Sequence, residues 1–130
     1  MLTDRQKAFR DYVVEMAQRL APEYDLDWRM MAAAAILESG WGESELAQRA
    51  HNLFGIRATA ATAADDVYLI RSSKRSYRFR RYASDEMAFR AYGALIGHGR
   101  LYEEPRGRRR EERGRLPRLA LERFVRDVAV

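Results

Sequence analysis

The chain has 130 residues, the size of one domain, and it contains no cysteine, which excludes a disulfide framework and a thiolate metal site. Its two histidines, His51 and His98, are far apart and have no third ligand at metal spacing, which argues against a zinc site. The net charge of +5, carried almost entirely by arginine, favours an anionic partner, and charge alone does not distinguish nucleic acid from another anionic polymer. The longest apolar run, 30–37, is too short to span a membrane.

Two helices are predicted in the N-terminal third of the chain. Thr3 and Gln6 form a capping-box pattern, and apolar residues then recur at helical spacing, which predicts a helix from Thr3 to Leu20. Asp27 is a good N-cap for a second helix, 28–39, and Gly40 supplies its end. The middle of this helix, MMAAAAIL, is apolar on nearly all sides, so we expect it to be the central, buried helix.

A short helix and a hairpin are predicted in the middle of the chain. Ser44 or Glu43 can open a helix that ends near His51, after which NLFGIRA is interpreted as a turn and residues 58–64 as a loop. The runs 67–71 and 76–82 are rich in β-branched and aromatic residues and are separated by a polar tetrapeptide. Together they predict one small β-hairpin.

The C-terminal part begins with a strongly patterned helix. Ser84 is a good N-cap, acidic residues fill the first turn, and an apolar stripe continues to Ile96, where Gly97 and Gly99 end it. The arginine-rich stretch 106–118 is interpreted as a solvated surface segment, with a clamp for an anionic polymer or another protein as the alternative. A last helix is predicted over 119–129. No linker or repeat is visible, so residues 1–130 are expected to form a single domain.

Glu38, at the end of the predicted central helix, is the strongest candidate for chemistry. The residues on its helix face are all apolar: Ala35, Ala34 and Met31. Burial and the partial negative charge of a helix C-terminus both favour the protonated carboxyl group that a general acid needs. An ordinary last-turn glutamate is the structural alternative.

Trp41 follows this carboxyl group within the sequence ESGWG. Gly40 and Gly42 flank the tryptophan and let the chain turn sharply, which presents a large flat ring close to Glu38. An acid beside an aromatic platform suits a sugar substrate. A tryptophan that merely anchors the core is the alternative.

Two longer stretches resemble a known enzyme family. AAAAILESGWGESELAQRAHNLFGIRA is similar to the signature of the glucosaminidase family of cell-wall hydrolases, and YRFRRYASDEMAFRAYGALI resembles that family's second block. The resemblance implies a mainly α (α+β) fold, with a lysozyme-like helical lobe, a small β-hairpin lobe and a glycan groove between them. It also implies endo-type cleavage of the β-1,4 bond after N-acetylglucosamine in peptidoglycan, with Glu38 as the catalytic acid and no metal or organic cofactor.

The same resemblance assigns the remaining site residues. Asn52 and Phe54 match the family's NLFG turn, which is expected to shape the groove floor and hold the helix against the hairpin. Tyr92 and Tyr102 match aromatic residues that line the far side of the groove, although a core position for Tyr92 fits equally well. With Trp41, these four residues are the expected substrate contacts, and His51 is interpreted as a local hydrogen-bonding residue.

The hairpin departs from the family pattern. Family members usually carry a second carboxylate there, whereas 67–82 contains no acidic residue, and the nearest acids are Asp65 and Asp66. Three chemistries remain open: Asp66 or Asp65 acts as the base, the substrate's 2-acetamido group is the nucleophile, or one acid works alone as in lytic transglycosylases. A wall-binding module that has lost turnover is the alternative from outside the enzymes.

The resemblance also sets expectations for partners and location. The expected partner is the glycan strand of peptidoglycan, with no nucleic acid and no membrane insertion, and the chain is expected to be a monomer. Action at the cell wall or periplasm is expected, yet the N-terminus lacks the apolar run of a secretory signal. A specialised secretion system, a phage route or a leader absent from this sequence would each explain export.

Overall fold

The computed structural model describes residues 1–97, which form four α-helices and one hairpin. The elements, in chain order, are α1 (Asp4–Leu20), α2 (Trp28–Glu38), α3 (Glu45–Ala50), β1 (Val67–Arg71), β2 (Ser76–Arg80) and α4 (Asp85–Ile96). Short 3-10 turns, Ala21–Tyr24 and Ala64–Asp66, precede α2 and β1. The mainly helical architecture with a small antiparallel sheet confirms the predicted fold class. The predicted helix 119–129, the arginine-rich stretch 106–118 and Tyr102 lie outside the described residues.

Side-chain caps fix where the helices begin, as the sequence predicts. Thr3 and Gln6 form a reciprocal capping box at the start of α1. Asp27, Ser44 and Ser84 each accept a hydrogen bond from a backbone N–H in the first turn of α2, α3 and α4. A cap of this kind contributes about 1 kcal/mol, so these residues largely determine the helix boundaries.

The core is built around α2. All six residues from Met31 to Ile36 are buried, and the run of alanines lets α1 pack closely against this helix. Leu20 and Phe89, from α1 and α4, are fully buried in the same cluster. Burying side chains of this size contributes about 2 kcal/mol each. The prediction that the apolar helix is central and buried is therefore confirmed.

The hairpin is antiparallel, and a third extended stretch joins it. In β1 and β2, Val67 lies opposite Arg80 and Tyr68 lies opposite Phe79. On the other edge of β2, Arg57 forms an antiparallel bridge with Phe79. This stretch is held by bonds from Arg80 N to Ile56 O (2.9 Å) and from Ala58 N to Arg78 O (3.0 Å). The interpretation of NLFGIRA as a turn alone was therefore incomplete, because its last residues pair with β2.

Within residues 1–97, no helix combines the length and apolar character needed to cross a membrane.

Candidate active site

The turn after α2 has an unusual backbone. Gly40, Trp41 and Gly42 have φ values of +56°, +61° and +76°, so three consecutive residues lie in the left-handed region. Glycine adopts this conformation readily, but a bulky residue such as Trp41 pays about 1–2 kcal/mol. Strain of this kind is concentrated at functional sites, and the partly buried ring also packs against the core. We infer that the strained turn holds the Trp41 ring near the end of α2.

Ser39 organises this turn from inside the protein. It is fully buried, and its hydroxyl accepts a hydrogen bond from Gly42 N at 2.8 Å. Its carbonyl accepts a second bond from Ser44 N at 3.0 Å, which joins the turn to the N-cap of α3. Sequence reasoning did not single out Ser39. Its only signal is a small polar residue between an apolar helix and a glycine pair.

Gly42 also has a packing role. A Cβ atom at this position would lie 2.4 Å from the ring of Phe9 on α1, so only glycine fits without displacing that ring. By contrast, a Cβ at Gly40 would meet nothing within 4 Å. The two glycines thus allow the same backbone conformation, but only Gly42 permits the close approach of α1.

Glu38 is the last residue of α2, and its side chain is exposed. The residues on its helix face, Ala35, Ala34 and Met31, are buried as predicted. The expected burial of the carboxylate itself was wrong, because burial along α2 ends at Ile36, and Leu37 and Glu38 are exposed. Within residues 1–97, no hydrogen bond or ion pair engages this carboxylate. It is free to meet a substrate.

Gly55 brings the NLFG turn against this carboxylate. An added Cβ on Gly55 would lie 3.5 Å from Glu38 Oε2, and the residue has a φ of +66° that favours glycine. The candidate acid is therefore flanked on the chain by the strained turn that carries Trp41, and in space by the backbone of the NLFG turn. The structure brings these predicted segments together around Glu38.

Asn52 holds the NLFG turn to the sheet and is only 1% exposed. Its Nδ2 donates to Ile56 O and Arg80 O, both at 2.9 Å. Its Oδ1 accepts from Ile56 N at 3.1 Å and from Phe54 N at 3.4 Å. Because these bonds use the buried amide fully, Asn52 holds the NLFG turn against the hairpin.

Phe54 and Tyr92 form an aromatic stack that joins the NLFG turn to α4. Their ring centroids are 4.4 Å apart with an interplanar angle of 20°, and Phe54 also meets Phe89 edge-on at 4.9 Å. Phe54 is buried, so it belongs to the core rather than to a solvent-facing groove. Tyr92 is partly exposed. Tyr102 lies outside the described residues.

Asp66, the expected second carboxylate, lies in the 3-10 turn that precedes β1. Its carbonyl accepts a hydrogen bond from Arg81 N at 2.7 Å, which extends the hairpin ladder by one rung. The side chains of Asp66 and Asp65 are exposed, and neither forms an ion pair with any residue in 1–97. Across the same residues, no cluster of three or more His, Asp or Glu side chains is suited to hold a metal ion.

A second polar cluster lies beside the NLFG turn. His51, which ends α3 with a φ of +53°, has Nδ1 2.9 Å from Asp85 Oδ1, and Tyr12 donates to Asp85 Oδ2 at 2.6 Å. Burial and the bond to Asp85 raise the pKa of the Tyr12 phenol well above its ordinary value. The cluster ties α1, the end of α3 and the start of α4 together, in keeping with the local hydrogen bonding expected of His51.

Comparison with known proteins places this geometry in a family. The family model for glucosaminidase, described as mannosyl-glycoprotein endo-beta-N-acetylglucosaminidase, matches residues 14–120. The chain is 46% identical over 54 residues to the exo-glucosaminidase LytG of Bacillus subtilis. It is 33% identical over 95 residues to the peptidoglycan hydrolase FlgJ of Pseudomonas aeruginosa. The matches cover 42% and 65% of this chain, but only 19% and 24% of those relatives.

Solved structures show the same fold. A peptidoglycan hydrolase from Sphingomonas sp. A1 is 33% identical with a TM-score of 0.63, over 78% of this chain and 67% of that one. The glycoside hydrolase domain of Salmonella typhimurium FlgJ has a TM-score of 0.70 over 95% of this chain and 88% of that one, at 23% identity, a likeness of fold alone. The family model covers most of the chain, and the chain therefore belongs to the glucosaminidase family of glycoside hydrolases.

Proposed function

We propose that this domain hydrolyses the β-1,4 bond that follows N-acetylglucosamine in the glycan strands of peptidoglycan, with Glu38 as the general acid. The observation that carries the proposal is the unengaged Glu38 carboxylate at the end of α2, beside the NLFG turn, where a Cβ added to Gly55 would lie 3.5 Å from Glu38 Oε2. The relatives named as a peptidoglycan hydrolase and a glucosaminidase support the substrate.

The chemistry requires Glu38 to enter the reaction protonated. It donates that proton to the glycosidic oxygen as the C1–O bond breaks, and positive charge develops on C1 and the ring oxygen. Water then adds to C1 and loses a proton to a base, which leaves a free reducing end.

We propose Asp66 as the base for the attacking water. Its exposed side chain lies in the turn that leads into β1, and no described residue forms an ion pair with it. Asp66→Asn should lower kcat by about 100-fold if this carboxylate takes the proton, the size expected for loss of a general base. Asp65→Asn is the matched control, with activity close to wild type. Wild-type activity in Asp66→Asn would instead favour the 2-acetamido group as nucleophile.

Trp41 and Tyr92 are the proposed sugar contacts, together with Tyr102, because an aromatic side chain can stack on the apolar side of a sugar ring. Asn52 and Phe54 are proposed as positioning residues that keep Gly55 beside Glu38. Trp41→Ala should raise KM for glycan strands more than it lowers kcat, because it removes a sugar contact. Substitution of Asn52 or Phe54 should instead mainly lower kcat, because it disturbs the turn that holds Gly55 beside Glu38.

Product analysis tests the function. Purified peptidoglycan is digested with the wild-type protein, and the soluble fragments are identified by mass spectrometry. Hydrated fragments with N-acetylglucosamine at the reducing end are expected. Fragments with anhydro ends, lighter by one water, would assign the chain to the lytic transglycosylases. Fragment length distinguishes endo-type cleavage from release of terminal units.

A wall-binding module without turnover is the second candidate, and the absence of acidic residues in 67–82 favours it. It predicts binding to sacculi and no soluble fragments. We also propose that residues 1–130 form a single domain that acts as a monomer at the cell wall or periplasm. It is not expected to bind nucleic acid. Size-exclusion chromatography tests the monomeric state, and a DNA-binding assay at several salt concentrations tests the lack of nucleic-acid binding.

A further inference from the structure

The hairpin carries a set of cations without internal counter-charges. Between 67 and 82 there are six basic residues and no acidic residue: Arg71, Lys74, Arg75, Arg78, Arg80 and Arg81. In the part of the chain that the structure describes, none of them forms an ion pair. On the helical lobe, by contrast, Arg19 and Arg90 both pair with Glu86, at 2.8 and 3.5 Å. Clustered, unpaired cations repel one another and attract an external anion.

Arg57 adds a further cation beside this hairpin, and it lies over two aromatic rings. Its guanidinium carbon lies 5.1 Å from the ring centroid of Tyr77 and 5.2 Å from that of Phe79. Arg57 and Phe79 are bridge partners, and Tyr77 lies two residues along β2, so all three share one face of the sheet. Both rings are partly exposed and Arg57 is exposed. The rings hold the guanidinium group by cation–π contact, and its N–H groups can donate to a planar, bidentate acceptor such as a carboxylate.

The position of Arg57 connects this surface to the candidate acid. Arg57 follows Gly55 by two residues, and Gly55 packs against Glu38. Two residues of extended chain span at most about 7 Å, so an anion held by Arg57 lies close to any polymer in the site. In a peptidoglycan strand whose muramic acid lactyl groups are amide-linked to peptides, the sugar units at the bond are uncharged, and the nearby carboxylates are those of the peptides.

We propose that Arg57, oriented by Tyr77 and Phe79 within the basic hairpin, binds a stem-peptide carboxylate of the strand whose glycan lies at Glu38. This inference rests on the proposed function, because it requires peptidoglycan as the ligand. The partner is a carboxylate rather than a phosphate, because the peptides of a peptidoglycan strand end in carboxylates.

Sacculus binding tests this proposal without requiring turnover. The Glu38→Gln protein is sedimented with sacculi stripped of wall teichoic acid, either native or with their carboxyl groups amidated by carbodiimide and ethanolamine. We expect amidation to weaken binding by about fivefold, the size of one favourable exposed ion pair. Adding Arg57→Gln should weaken binding to native sacculi by about the same factor and abolish the effect of amidation. Arg57→Lys, which keeps the charge and loses the planar fork, should fall between them.

Arg29→Gln is the matched control. Arg29 also stacks on an aromatic ring, that of Trp28 at 5.4 Å, but it lies at the opposite end of α2 from Glu38. The Arg29→Gln substitution should therefore leave binding to native sacculi unchanged.

Several outcomes would overturn the proposal. These are equal binding by the Arg57→Gln protein, an equal loss on native and amidated sacculi, or dependence on Arg57 that needs teichoic acid or is seen only with DNA. Because the assay measures binding, a wild-type protein that binds in this way but releases no fragments would refute hydrolysis and leave the Arg57 subsite standing.

Discussion

Replacing Gly42 by alanine should destabilise the domain by about 2–4 kcal/mol. The φ of +76° costs an alanine about 1 kcal/mol, because its Cβ crowds the backbone in the left-handed region. The same Cβ would lie 2.4 Å from the ring of Phe9, and relieving such overpacking costs about 1–3 kcal/mol. For a domain of this size each kcal/mol lowers Tm by about 4 °C, so a fall of about 8–16 °C is expected.

Thermal unfolding followed by circular dichroism measures this effect, and Gly40→Ala is the control. Gly40 has a φ of +56° but open space at its Cβ, so its replacement should cost only the backbone part, about 1 kcal/mol or 4 °C. Phe9→Leu should restore part of the stability of Gly42→Ala, because it vacates the contested space. Equal falls in Tm for the two glycine variants would refute the packing argument.

Two further predictions concern the support of the site. Asn52→Ala should lower the free energy of unfolding by about 2–4 kcal/mol, because it leaves four backbone groups without their hydrogen bonds to the Asn52 side chain. The same substitution should lower kcat, because it displaces Gly55 from its place beside Glu38. Urea unfolding measures the first effect and steady-state kinetics the second. Tyr12→Phe should cost about 1 kcal/mol at pH 7 through loss of the bond to Asp85. Since the pKa of Tyr12 is raised in the folded protein, its contribution is complete below the ordinary value of 10.0 and is lost as pH rises above it, so urea unfolding of Tyr12→Phe should depend less on pH there.

Local signals made the helices predictable. Thr3, Asp27, Ser44 and Ser84 stand directly before apolar-periodic segments, and each caps its helix in the structure. Each cap side chain bonds to a backbone N–H group within four residues of it. These signals require no knowledge of the tertiary fold, which explains why the predicted starts agree with the structure.

The surroundings of Glu38 were less predictable, because they depend on long-range packing. The apolar face of α2 is buried as expected, but the sequence does not show that this burial stops one turn before Glu38. Likewise, Asn52 was placed by its motif as a groove residue, and its partner Arg80 lies far along the chain. The bridge between Arg57 and Phe79 was missed for the same reason, because it joins residues far apart in the sequence and no local pattern predicts it.

The strained turn shows a different limit. Tryptophan strongly disfavours a positive φ, so propensity argues against the conformation that Trp41 adopts. It is held by the flanking glycines and by the buried hydroxyl of Ser39, which the sequence presents only as a small polar residue. Local rules fail here at a position beside the candidate acid, where functional demands are expected to override them.

The most direct test of the account is the turnover of purified peptidoglycan by Glu38→Gln. The substitution keeps size and polarity but cannot donate a proton as a carboxylic acid, and the exposed side chain makes no described contact that its loss would break. The account predicts a fall in kcat of at least about 100-fold, with unchanged Tm and unchanged binding to sacculi. Release of the same fragments at a rate close to wild type would contradict the assignment of Glu38 as the general acid.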